Sequence, residues 1–149
     1  MKLAHKITVS VFCKPEDNEQ SILDKLRFLF PFDLEENKIK IGQHSVLSFN
    51  EKKIKIFEVS LEKEKHCNGF LTYLKERLND EQKGILLRQI NSRLDEELNF
   101  FIRLDKNKLI SGDRFFITDS GNCYHIKISI AAFPAKRETA IGVLEKYLK

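Results

Sequence analysis

A chain of 149 residues that is 42% hydrophobic and 32% charged is too apolar to stay disordered and too polar to live in a bilayer. Its length suits one compact domain, burying about 68–70% of its unfolded surface, and residues 1–149 are read as that single domain. No apolar run approaches the roughly 20 residues of a membrane span, and the opening MKLAHKITVS lacks the continuous apolar core of a secretory signal, so a cytoplasmic location and no membrane partner are expected. The formal net charge is +4. Acids outnumber bases between residues 15 and 37 and bases outnumber acids beyond residue 100, so one part of the surface should attract phosphate better than another.

The first element is a strand, KITVSVFC, in which Ile7, Val9, Val11 and Cys13 alternate with Thr8, Ser10 and Phe12. Pro15 and the acids Glu16, Asp17 and Glu19 then suit the first turn of a helix whose apolar stripe is Ile22, Leu23, Leu26, Leu29 and Phe30. Pro31 should stop it, because the residue before a proline avoids helical geometry. Two strands are expected at 38–49 and 53–63, turned at FNEKK. In the second, KKIKIFEVSLE, the apolar phase slips between Ile54/Ile56 and Phe57/Val59/Leu61; a β-bulge would let both sets face one core.

Next come two helical stripes, Cys67/Phe70/Leu71/Leu74/Leu78 and Leu86/Leu87/Ile90/Leu94, separated by Asn79-Asp80, a pair suited to ending one helix and capping the next. The last third returns to strands: LNFFIRLD, RFFIT, the turn DSGN, and CYHIKISIAAF, with a helix after Pro134 that carries Ala140, Ile141, Leu144, Tyr147 and Leu148 on one side. The order β-α-β-β-α-α-β-β-β-α predicts an α+β domain, a largely antiparallel sheet with helices on one face.

Cys13, Cys67 and Cys123 are odd in number, far apart and outside any CxxC spacing, so they read as free thiols rather than disulfides or a zinc site. His5, His44, His66 and His125 form no HxxxH or HExxH pair, and neither a metal nor another cofactor is expected. In the turn Asp105-Lys106-Asn107-Lys108, Leu109 stands where a calcium loop needs its next oxygen and Gly112 is misplaced, which rejects calcium. GxSxG, Walker and GxGxxG motifs are missing from the sequence, so the chain is read as non-catalytic; a hydrolase or nuclease would need acids clustered in a cleft.

If helices cover one sheet face, the other collects Thr8, Ser10, Phe12, Lys53, Lys55, Phe101, Arg103, His125, Lys127 and Ser129. Cations that hold phosphates, rings that stack on bases and hydroxyls for sugars, with no acid among them, suit a nucleic-acid strand. The same alternation also describes an ordinary solvated face with lysines that discourage edge pairing.

The stretch RLDEELNFFIRLDKNKLISG resembles an archaeal family of predicted RNA-binding proteins, often described as predicted exosome subunits. The likeness runs collinearly: a first strand, a helix ending in Phe30-Pro31, a helical hairpin, then a strand ending in Arg103-Leu104-Asp105-Lys106 with Gly112 soon after. Where the family carries a small glycine-rich signature, this chain reads KIKIGQHSVLSF with the single Gly42, so no role is carried over to that segment. The resemblance implies a fold similar to the large-subunit ribosomal protein that binds 5S rRNA, and RNA as partner, with exosome or ribosome-related proteins as further ones. On this reading Arg103, Lys106, Lys108 and Arg114 contact phosphates, Lys53, Lys55, Lys127 and Lys136 extend the track, and Phe101 and His125 stack on bases. The alternative is a protein-interaction subunit of an RNA-processing assembly that does not touch RNA itself.

Overall fold

The computed structural model describes residues 2–149. Five strands, β1 (Ala4–Cys13), β2 (Gly42–Leu47), β3 (Lys53–Leu61), β4 (Asn99–Asp105) and β5 (Cys123–Ile130), form one antiparallel sheet in the order β2-β3-β1-β5-β4. Among the described residues the helices are α1 (Glu19–Phe28), α2 (Glu64–Arg77), α3 (Asp80–Arg88), α4 (Ile90–Arg93), α5 (Lys106–Gly112) and α6 (Arg137–Leu148). The class is α+β, with the helices on one face of the sheet.

Strict alternation in β1 sends Ile7, Val9, Val11 and Cys13 into the core. Register then carries the apolar set sideways: Val59, Val9, Ile126 and Ile102 lie opposite one another across four strands, all fully buried. Helical spacing supplies the opposing layer, with Ile22 and Leu26 from α1, Phe70 and Leu74 from α2, Leu86 from α3 and Leu144 from α6. Each fully buried side chain of this size contributes about 1.5–3 kcal/mol. Tyr124 fills the space between β5 and α1 and donates its hydroxyl to the Ile22 carbonyl at 2.8 Å. Asn79 caps α3 by accepting from the Gln82 amide at 2.9 Å, which separates α2 from α3 as the sequence suggests.

Several expectations change. α1 starts at Glu19 rather than at Pro15, because Asn18 is the cap and accepts from the Ser21 amide, while residues 14–17 close a separate turn. β3 contains no bulge: its pairing with β1 and with β2 runs unbroken, so Ile54 and Ile56 stay on the face away from the helices. Among the described residues a register shift lies instead in β1, between Ala4 and Lys6. The charged stretch after β4 is not a turn between strands but helix α5, capped by Asp105 accepting from the Lys108 amide at 2.9 Å. Asp113, rather than Gly112, takes the left-handed conformation that ends it, with φ 53°.

RFFIT does not become a hairpin partner of β5. Residues 116–118 run along the outer edge of β4, held by the bridge Leu104–Ile117 and by backbone bonds from Asp105 to Phe116 and from Thr118 to Arg103. β4 therefore lies between this segment and β5, and residues 119–122 must cross β4 to begin the last strand. Bonds from Arg103 to the Asp119 carbonyl and from the Lys106 amide to the Asn122 carbonyl mark the crossing. No helix among the described residues is long and apolar enough to cross a membrane.

Candidate nucleic-acid interface

The uncovered face is ordered by register. One row reads Ser60, Thr8, Lys127 and Phe101 across β3, β1, β5 and β4; the next reads Glu58, Ser10, His125 and Arg103. Directly opposed residues in antiparallel strands stand about 4.5–5.5 Å apart and diagonal ones remain within reach of long side chains. Phe101, Arg103, His125 and Lys127 thus form one compact quartet. The Phe101 and His125 rings meet across the diagonal, centroids 5.4 Å apart and tilted by 36°. Arg103 and Lys127 are exposed while the two rings are half-buried.

The quartet is framed on its outer side. α4 brings Arg93 alongside β4, where its Nε donates to Gln89 Oε1 at 2.8 Å and its Nη1 to the Phe101 carbonyl at 3.3 Å. The crossing loop brings Asp119, whose carboxylate lies 3.4 Å from Arg93 Nη2 and whose carbonyl accepts from Arg103 Nη1 at 2.9 Å. Between them is an open hollow of about 610 Å³ lined by Gln89, Ser92, Arg93, Phe101, Arg103, Asp119 and His125. Burial pushes the His125 imidazole below its usual pKa, and the positive charges of Arg103 and Lys127 push the same way. Burial also lowers Arg93, which Asp119 opposes and Arg103 reinforces.

At the Asp105 end of β4, Phe115 and Ile117 are buried toward the helices, so the alternation turns Phe116 to the other side. There Lys108 Nζ sits 4.3 Å from the Phe116 ring centroid and the Arg114 guanidinium 5.7 Å from it. Lys6, paired with Ser129 and exposed, adds a cation near the other end of β1. Its place was readable from its parity with Thr8.

The remaining sequence candidates fall elsewhere. Lys106 is buried, its amine spent on the Phe12 carbonyl at 2.7 Å and on Asp17 at 3.6 Å, so it does not contact phosphate from this position. Lys53 and Lys55 share the parity of Phe57 and Val59 and lie on the helix side of the sheet, where Lys55 pairs with Glu19 of α1 at 2.7 Å. Without the bulge, that reversal was bound to follow. Lys136 precedes α6, beyond the opposite end of β5 from Lys108 and Arg114. The open face also carries an acid, Glu58, where the sequence suggested none. Arg93 and Asp119 were missed, since both reach the site only through α4 and the crossing loop.

Toward β2 the open face changes character. Phe12 neighbours Ile56 across β1 and β3, and His44 and Val46 of β2 stand opposite Ile56 and Ile54. Phe12 is 48% exposed and Val46 42%, whereas Leu47, opposite Lys53, belongs to the helix side of the sheet. Among the described residues no three His, Cys, Asp or Glu side chains gather to hold a metal ion, and the three cysteines are free and buried.

Comparison with known proteins follows the same outline. A family model described as RNA binding matches residues 6–131. The RNA-binding protein PAB1135 of Pyrococcus abyssi is 23% identical over 146 residues, which cover 98% of this chain and 94% of that protein. The crystal structure of protein AF2318 from Archaeoglobus fulgidus superposes with a TM-score of 0.82 at 24% identity, covering 99% of each chain. A DUF54 protein from Methanothermobacter thermautotrophicus gives 0.79, also at 24% identity and 99% of each chain. At these identities the solved structures speak for the fold alone.

Proposed function

This chain belongs to the RNA-binding family whose model spans residues 6–131, and on that premise we propose that it binds unpaired RNA on the β4–β5 half of its open sheet face, without catalysing a reaction on it. The observation that supports this reading is the quartet: two cations, Arg103 and Lys127, set diagonally across two rings, Phe101 and His125, that lie 5.4 Å apart. Phosphates bind the exposed cations, and bases, whose π-faces are alike in every nucleotide, stack on the rings. Lys108 and Arg114 around Phe116 repeat the combination further along β4 and extend the path of the strand.

Filter binding of a single-stranded oligoribonucleotide over a salt series tests the reading. Each phosphate contact adds about 0.7 to the slope of log affinity against log salt for single strands, so Arg103→Ala/Lys127→Ala should weaken binding and flatten the slope by about 1.4. Lys53→Ala/Lys55→Ala, on the other face, should leave the slope as it is. Equal slopes in the wild type and the Arg103/Lys127 double variant would overturn the assignment.

The exposed apolar residues of the β2–β3 hairpin, Val46 on β2 and the fully exposed Phe49 at its turn, favour a second role, docking on a protein of a larger RNA-processing assembly such as an exosome, because apolar surface of this kind marks protein contacts. Capture of such an assembly from native lysate should survive nuclease treatment and be lost in Val46→Ser/Phe49→Ser. Loss on nuclease treatment alone would reduce the association to shared RNA.

A further inference from the structure

Arg93 is compensated in an unusual way. Its side chain is only 10% exposed, yet the carboxylate paired with it, Asp119, is 92% exposed and lies at 3.4 Å, long against the roughly 2.7–2.9 Å of a good charged hydrogen bond. A buried cation thus leans on an anion that stands in water, on a loop rather than on the sheet. Arg103 turns toward the same residue and donates to its carbonyl. Two guanidinium groups therefore converge on Asp119 at the mouth of the hollow whose floor includes Phe101 and His125.

Guanidinium forks match phosphate oxygens as well as carboxylate oxygens. The Asp119 carboxylate stands in water and its contact is long, so salt screens it and it can leave Arg93 without losing its hydration. The hollow, at about 610 Å³, falls within the ordinary range of small-ligand sites. The base next to such a phosphate would find the Phe101 and His125 rings 5.4 Å apart, and stacking of this kind needs an unpaired nucleotide.

We propose that Asp119 is a resident anion holding the place of an RNA phosphate: on binding, one phosphate of a single strand displaces its carboxylate from Arg93, beside the Arg103 guanidinium held on the Asp119 carbonyl, and the adjoining base stacks on Phe101 and His125. This deepens the RNA-binding reading and rests on it. Asp119 then sets a threshold on affinity, and its removal should strengthen binding through Arg93.

The test is a double-mutant cycle read by fluorescence anisotropy with a labelled oligouridylate. Asp119→Asn should tighten Kd by about threefold, the scale of one weak, solvent-screened charge contact. In an Arg93→Gln background the same substitution should change Kd by less than about 1.5-fold, since the group the carboxylate occupied is gone. Glu58→Gln, which removes an acid from the same face without touching either arginine, should give no more than about 1.5-fold through screened long-range repulsion. An equal gain from Asp119→Asn in both backgrounds, or no gain, overturns the proposal. Should Arg93→Gln fail to fold, equal gains from Asp119→Asn and Glu58→Gln overturn it instead. If the wild type binds and Arg103→Ala/Lys127→Ala weakens binding while the cycle shows no coupling, only this inference falls. Absence of binding by every variant removes the RNA-binding reading along with it.

Discussion

The two halves of the open face start from the same alternating strands and end as different surfaces. On the β4–β5 side, α4 and the crossing loop stand at the rim and tie the long side chains to backbone carbonyls, Arg93 to Phe101 and Arg103 to Asp119. On the β2–β3 side every residue of β2 is exposed, and Val46 and the fully exposed Phe49 stand open to solvent. The first half is charged, aromatic and pre-arranged, which lowers the ordering cost of binding a flexible strand. The second is apolar and ends in an edge strand, the kind of surface that soluble proteins usually cover or charge. One sheet face therefore offers two chemistries, separated by Ser10 and Phe12 on the central strand β1.

The largest effect that can break this division comes from a ring on each side. Stacking one base on an aromatic side chain contributes about 1–3 kcal/mol by alanine substitution, so Phe101→Ala should raise the Kd for an unpaired oligoribonucleotide by roughly 5- to 150-fold. Phe49→Ala, on the apolar side, should stay within about twofold, because its ring is fully exposed at the turn between β2 and β3. Thermal melts of both variants separate binding from folding. Comparable losses in the two would mean that the RNA path crosses the whole sheet and that the halves do not differ in function.

How much of this was legible in the sequence depends on which rule had to act. Period-two alternation fixes faces within a strand, so the buried row Val59, Val9, Ile126 and Ile102 and the exposed Phe101, Arg103, His125 and Lys127 follow from it once β4 and β5 are neighbours. Asn79 shows at the level of sequence because capping is local. Alternation does not name a strand's partner, however. RFFIT reads as a strand whichever side of β4 it takes, and only its placement on the outer edge sends residues 119–122 across the face and brings Asp119 to Arg93. Lys53 and Lys55 went to the wrong face because a phase slip can be absorbed by a bulge or left standing, and the unbroken pairing of β3 leaves it standing. Lys106 misled for a different reason: Asp105 is a helix cap, and α5 turns the next lysine inward toward the Phe12 carbonyl.

The smallest effect concerns protons and sharpens the comparison through His125, which lies only on the charged half. Arg103 from β4 and Lys127 from β5 act on its imidazole, with Ser10 of β1 opposite and Arg93 and Asp119 sharing its hollow. Burial first, then those two cations, hold its pKa below the usual value, which is about 6.5 for an unfolded chain. At a pH just below that value the unfolded chain takes up a proton that the folded chain refuses. The RNA-free protein therefore keeps this contribution to stability above about pH 6.5 and loses it as pH falls toward the folded pKa. Burial depresses His66 as well, and it adds to the loss from the helix side of the sheet. A phosphate held beside His125 reverses the sign at this site, because it favours the imidazolium and binding then draws in a proton. As pH falls from 7.5 to 5.5, affinity for an oligouridylate should rise, by less than about threefold because His125 is only partly protonated there, even as the free protein melts earlier. In His125→Gln the affinity should become flat across that range while the His66 share of the stability loss remains. A rise that persists in His125→Gln would move the proton uptake to another group and take His125 out of the binding path.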